Sequence, residues 1–261
     1  MKDLEKDIQR ASTANEEDLE SLAYHPSPGV ITALIRNRNL TEKLAVIVAA
    51  RKNVGSDILD ALSRDPKWKS SYKVKLALCK NPKSPERISL ALIKSLKIFD
   101  MADLTRNPAL PVSLKMKVEE GIGERIPALP LGVKITLAKR ASSRVLMRLI
   151  EEGLKEVVAA SLDSPYMTEG DLYKIISMKN ISPQVIRQIA GHAKWASRYM
   201  IRWSLIRNTH APLASIVNFI KDMKTTDLKD LYAAPEVPSC TKPYIFRELL
   251  EREESFEPSS E

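Results

Sequence analysis

The chain has 261 residues, with 41 Lys and Arg against 33 Asp and Glu, three His and two Cys, for a formal net charge of +8. Apolar residues make up 44% and aromatic ones 5%, enough to build a packed core and to exclude wholesale disorder. Two cysteines cannot form a disulfide framework and fit a reducing compartment. The opening stretch MKDLEKDIQR mixes acids with bases and is no signal peptide, and the longest clean apolar run, Leu44 to Ala50, falls short of the about 20 residues a spanning helix needs. The expectation is a cytoplasmic, bacterial protein with no membrane association.

Residues 1–20 carry three cations and seven acids and read as an acidic N-terminal helical cap. From residue 21 short helices begin, several at Ser-Pro: Ser27-Pro28, Ser84-Pro85 and Ser182-Pro183. Serine caps a helix N-terminus and proline suits its first position. Apolar doublets follow one turn apart: Val30-Ile31 with Leu34-Ile35, Ile58-Leu59 with Leu62, Val145-Leu146 with Leu149-Ile150, Val185-Ile186 with Ile189-Ala190, and Ile216-Val217 with Ile220. Each pattern makes one stripe along a helix. The doublets return about every 28 residues, which predicts paired helices of roughly 10 residues and two turns. A longer interval before Val185 predicts an extra helix near Thr168 to Lys179. Such units bury their stripes only by stacking. With no alternating strand pattern, the chain reads as all-α, about 16 helices in a single α-solenoid over residues 21–235, followed by a C-terminal helix and an acidic disordered tail over residues 236–261.

The second helix of each unit ends on a cation, then Asn, then a break. Leu76 to Pro82 is the clearest copy, repeated at Leu104 to Pro108, Ile176 to Pro183 and Leu205 to Pro212, and without proline at Ala50 to Asn53. Asparagine tolerates the left-handed conformation used at helix C-caps, which is its expected role here.

These endings resemble those of bacterial HEAT-like and leucine-rich-repeat-variant helical proteins, whose units read Leu-Ala-x-x-x-Asn-Pro followed by a Ser/Thr-Pro helix start. Leu76 to Pro85 carries the resemblance best, with a weaker copy at Leu22 to Pro28, and the likeness spans roughly residues 20 to 235. It implies a superhelix of stacked helix pairs that binds proteins or nucleic acids. Glu119 to Lys139, with Gly121, Gly123, Pro127, Pro130 and Gly132, departs from the pattern and is expected to form a longer loop or a mild hinge.

No familiar chemistry emerges. His25, His192 and His210 are far apart, and neither cysteine has a partner at ligand spacing, so no metal site or cofactor is expected. His25 precedes Pro26 where other units have Asn, which suggests a turn role. Gly121-Ile122-Gly123 lacks the strand and third glycine of a dinucleotide fingerprint. Cys79 lies among Leu76, Ala77 and Leu78 and reads as a small core residue. The acid pairs Glu119-Glu120 and Glu151-Glu152 read as solvated faces.

Two features remain as binding candidates. Lys80, Arg106, Arg140, Lys179 and Arg207, together with Lys52, are expected at equivalent helix ends, where they either complement the helix dipole or form a ladder for a polyanion or an acidic surface. Trp195, Tyr199 and Trp203 fall at i, i+4 and i+8, expected on one helix face beside Arg198 and Arg202; they either fill the core or make a contact site. The reading is a non-enzymatic scaffold with a protein partner, and the alternative is nucleic-acid binding. The alkylpurine DNA glycosylases share a HEAT-like design, but no Asp accompanies Trp195 or Trp203, and the nearest downstream acid is Asp222. Residues 21–246 carry 36 cations and 20 acids, so a strongly basic body lies between acidic ends.

Overall fold

A computed structural model describes residues 2–254. Every regular element among them is helical, and none of the helices is long and apolar enough to cross a membrane. The chain forms two compact units that divide between Arg125 and Ile126.

The first unit contains α1 (Lys2–Thr13), α2 (Glu16–Leu22), α3 (Pro28–Ile35), α4 (Glu42–Ala50), α5 (Ser56–Arg64), α6 (Tyr72–Lys80), α7 (Glu86–Ile93), α8 (Ile98–Thr105) and α9 (Val112–Arg125). The predicted stripes point inward: Val30, Ile31, Leu34 and Ile35 of α3 are buried, as are Ile58, Leu59 and Leu62 of α5. Burying each such side chain stabilises the fold by about 1.5–3 kcal/mol. Ser27 and Pro28 stand at the N-cap and first turn of α3 as expected, whereas at Ser84-Pro85 the proline itself is the cap of α7. Helices pack on their second neighbours along the chain, α1 on α3, α3 on α5, α4 on α6, α6 on α8 and α7 on α9.

The second unit opens with a 3-10 turn, Ile126–Ala128, then α10 (Leu131–Ala138), α11 (Ser143–Glu151), α12 (Lys155–Leu162), α13 (Glu169–Ile176), α14 (Pro183–Gly191), the single turn α15 (Ala193–Ala196), α16 (Tyr199–Ile206), α17 (Leu213–Lys221), α18 (Thr225–Ala233) and α19 (Lys242–Glu254). Here α10 packs on α12, α12 on α14, α11 on α13, α13 on α16, and α17 on α19. The helix expected near Thr168 is α13, with Thr168 as its N-cap.

The units are two versions of one helical plan, in which residue n of the first corresponds to residue n + 127 of the second. Lys67-Trp68 matches Lys194-Trp195, Tyr72 matches Tyr199, Asn81 matches Asn208, Asp100 matches Asp227, and Arg125 matches Arg252. Their contacts match as well. The Tyr72 hydroxyl donates to the Asp100 carboxylate and accepts the Lys97 amide; Tyr199 does the same with Asp227 and the Lys224 amide. The Arg125 guanidinium donates to the carbonyls of Ile93, Lys94 and Leu96 at the end of α7. Arg252 repeats this on Ile220, Lys221 and Met223 at the end of α17. Lys67 lies 4.8 Å from the Trp68 ring centroid, and Lys194 lies 4.1 Å from that of Trp195. One pair even recurs with its acidic and basic members exchanged: Asp7 with His25 at 3.6 Å, and Lys134 with Glu152 at 2.8 Å.

Three expectations are corrected. Gly121 and Gly123 lie within α9 rather than in a loop, and α10 occupies much of the rest of that stretch. No non-glycine residue among those described has a positive φ, so the recurrent asparagines are not left-handed caps. Asn81, for example, is extended and buried; its amide donates to the carbonyls of Ala49 and Arg51 at the end of α4, at 2.7 and 3.0 Å, while its side-chain oxygen accepts the Lys83 amide. Asn37 makes the same bonds to Ala11, Ala14 and Asn39, and Asn208 to Ile176 and His210. Asparagine is chosen because one short side chain both donates to an earlier helix end and closes its own turn. Third, Trp195, Tyr199 and Trp203 do not share a helix: the chain breaks at Ser197 and Arg198, which separate α15 from α16. The acidic tail beyond residue 254 lies outside the described residues.

Candidate functional site

The C-terminal ends of α13 and α16 bound a groove of about 360 Å³ in the second unit. Thr168 starts α13 by accepting the Asp171 amide at 3.2 Å. Leu172, Ile175 and Ile176 fix its buried face, as Ile201, Leu205 and Ile206 fix that of α16. This orientation leaves Tyr173 exposed and Trp203 half-buried along the groove. The turns after the helices add Met178, Lys179 and His210, and the segment after α18 adds Glu236. Asn208 ties the two helix ends together through its 2.8 Å bond to the Ile176 carbonyl. Arg207, the C-cap of α16, meets the Glu236 carboxylate at 3.0 Å.

The groove thus combines an aromatic wall with cations at its rim. Within it, Ser177 donates to the Tyr173 carbonyl at 2.8 Å and Ser204 to the Met200 carbonyl at 2.9 Å. Those are ordinary bonds one helical turn back.

Of the aromatic cluster, only Trp203 reaches this groove. Trp195 is 3% exposed, and its indole donates to the Leu162 carbonyl at 2.9 Å. Tyr199 is held by Asp227. Arg202 donates to the Ala196 carbonyl at 2.6 Å and to Asp222 at 2.7 Å, and lies 5.7 Å from the Phe219 ring centroid. Arg198 is exposed at the N-cap of α16, not on a shared ridge with Arg202. Trp195, Tyr199 and Arg202 are thus engaged within the fold, while Trp203 lines the groove and Arg198 is exposed.

Of the cation set, Lys179 and Arg207 meet at this groove. Lys80 lines a groove of about 360 Å³ in the first unit, between α4 and α6, with Val46, Ala50, Lys73, Leu76 and Ala77. This is the same groove: Val46, Ala50, Leu76, Ala77 and Lys80 correspond to Tyr173, Ser177, Trp203, Ser204 and Arg207. Arg106 and Arg140 are exposed and line neither groove. Their counterparts by offset, Ala233 and Thr13, are not basic. Cations that hold helix ends include Arg51, which donates to the Ala23 and His25 carbonyls, and Lys67, which donates to those of Arg38 and Leu40, besides Arg125 and Arg252. His25 closes a turn, its Nδ1 accepting the Ser27 amide at 3.0 Å.

Comparison with known protein families, curated proteins and solved structures gives no match. The functional reading therefore rests on the residues themselves. Among the described residues no cluster of His, Cys, Asp or Glu is arranged to hold a metal ion. Tyr173 and Glu236 were not legible as site residues from helix-scale periodicity. The signal that finds them is the 127-residue correspondence, because they replace Val46 and Ala109.

Proposed function

We propose that this chain is a non-enzymatic HEAT-like scaffold of stacked helix pairs, acting in the cytoplasm, that binds a protein partner through the basic surface around the second unit's groove. The packing of helices on their second neighbours supports the stacked design. The observation that carries the binding role is the groove itself, where half-buried Trp203 and exposed Tyr173 lie beside Lys179 and Arg207. Aromatic residues with arginine are the composition that dominates contact energy at protein interfaces. The groove offers only Lys179 and Arg207 as full cations, short of the run of cations that tracks a phosphate backbone, which favours a protein partner over nucleic acid.

The test is affinity capture from nuclease-treated native lysate, comparing the natural chain with the double variant Trp203→Ala, Arg207→Gln. A protein retained by the first and lost by the second, with helical content unchanged, is the expected result. Retention that vanishes with nuclease treatment, or that the double variant leaves intact, contradicts the proposal.

A further inference from the structure

The two grooves share one framework and differ in their lining. The Tyr–Asp clamps, the asparagines at helix ends and the arginines on carbonyls are kept between units, residue for residue. The cations are kept, Lys52 as Lys179 and Lys80 as Arg207, but other groove positions change: Val46 becomes Tyr173, Ala50 becomes Ser177, Leu76 becomes Trp203, Ala77 becomes Ser204 and Lys83 becomes His210. The framework and the cations thus stay, while the second groove gains aromatic and polar lining.

The second groove also gains an internal carboxylate. Glu236 corresponds to Ala109, so the first unit has no acid at that place. Its carboxylate sits 3.0 Å from Arg207, and the side chains are 58% and 32% exposed. An ion pair this open to solvent is weak and readily exchanged. Glu236 thus sets a carboxylate on the Arg207 guanidinium, the same pairing that an acidic ligand would make. Lys179 and His210 are exposed at the same rim, and Trp203 and Tyr173 offer the aromatic surface beside it.

We propose that the second unit's groove binds an acidic protein segment bearing an aromatic side chain, whose carboxylate displaces Glu236 from Arg207 while its ring packs on Trp203. This rests on the reading of the chain as a protein-binding scaffold and names the chemistry of what it binds. Glu236 then acts as a latch that lowers affinity for weakly acidic segments and is released by a matched one.

The experiment is fluorescence anisotropy on the full chain, with a fluorescein-labelled peptide Gly-Ser-Glu-Phe-Glu-Ser-Gly as probe and its Gln-for-Glu version as control. The acidic peptide should bind and the Gln version should bind at least fivefold more weakly. Glu236→Gln, on an exposed side chain, should tighten binding by about threefold by removing the competitor. Arg207→Gln should weaken it by about tenfold, and Lys80→Gln in the first unit should leave it unchanged. Equal binding of the two peptides, no change or weakening in Glu236→Gln, or preferential binding of a short oligothymidine strand through Arg207 would overturn the inference. A partner captured from lysate in a groove-dependent way, but with no binding of the acidic peptide, sinks this inference and leaves the scaffold reading standing. Absence of any captured partner sinks the scaffold reading itself.

Discussion

At the scale of single residues, the fold depends on polar side chains that each satisfy backbone groups of a different helix. Burial first, then the hydrogen bond to Asp100, pushes the Tyr72 hydroxyl above its ordinary value of 10.0, and burial and Asp227 do the same to Tyr199. A raised folded-state value means the neutral phenol is the stabilised form. Its contribution is fully present below pH 10 and is lost as pH rises through the raised value. Tyr72→Phe should therefore cost about 1 kcal/mol in urea denaturation at pH 7, and the gap to the natural chain should shrink as the pH rises above 10 and the phenol ionises. A gap that stays constant or widens with pH would show that the clamp is not the source. Cys79 is buried, which pushes its thiol up to about 12, whereas Cys240 is exposed. Titration of the native chain with a thiol reagent should find Cys240 reactive and Cys79 silent until denaturant is added. Prompt reaction of Cys79 would contradict its place in the core.

Individual helices were largely legible in the sequence, because their signals are local. Ser182-Pro183 caps and starts α14, and Val185, Ile186, Ile189 and Ala190 bury its stripe, as the doublet predicts. The break between α15 and α16 was not legible: Ala193 to Ile206 has no proline or glycine, and helical spacing of Trp195, Tyr199 and Trp203 is satisfied by one continuous helix. What breaks it is tertiary, the anchoring of Trp195 to Leu162 and of Tyr199 to Asp227. The role of cations was half legible. Lysines and arginines do serve helix C-termini, but the ends belong to an earlier helix, about 30 residues upstream, and adjacency in sequence cannot reveal that. Arg125→Met keeps the apolar stem and leaves three carbonyls at the end of α7 without their donor. It should cost about 2 kcal/mol in thermal or urea unfolding, against little or no change for Lys117→Met, whose partner Glu120 is on the same exposed face. Equal effects would mean that the guanidinium is a surface charge only.

Across the chain, the informative period is 127 residues rather than the spacing of the apolar doublets. Lys67-Trp68-x-Ser70-x-Tyr72 against Lys194-Trp195-x-Ser197-x-Tyr199 is visible once the units are set side by side, but a pattern of buried doublets repeats too often to single it out. The correspondence separates what holds the fold from what differs between the units. By that division Trp195 and Tyr199 are framework, whereas Trp203, Tyr173 and Glu236 differ between the units and, with Lys179 and Arg207, make up the surface we propose for a partner. The central claim, that function resides in the groove between α13 and α16, is tested most directly by hydrogen–deuterium exchange of the full chain with and without its captured partner. Slowed exchange concentrated in residues 173–180 and 203–210, with the α4 and α6 groove unaffected, is the predicted result. Protection confined to other helices, with these two segments unchanged, would contradict it.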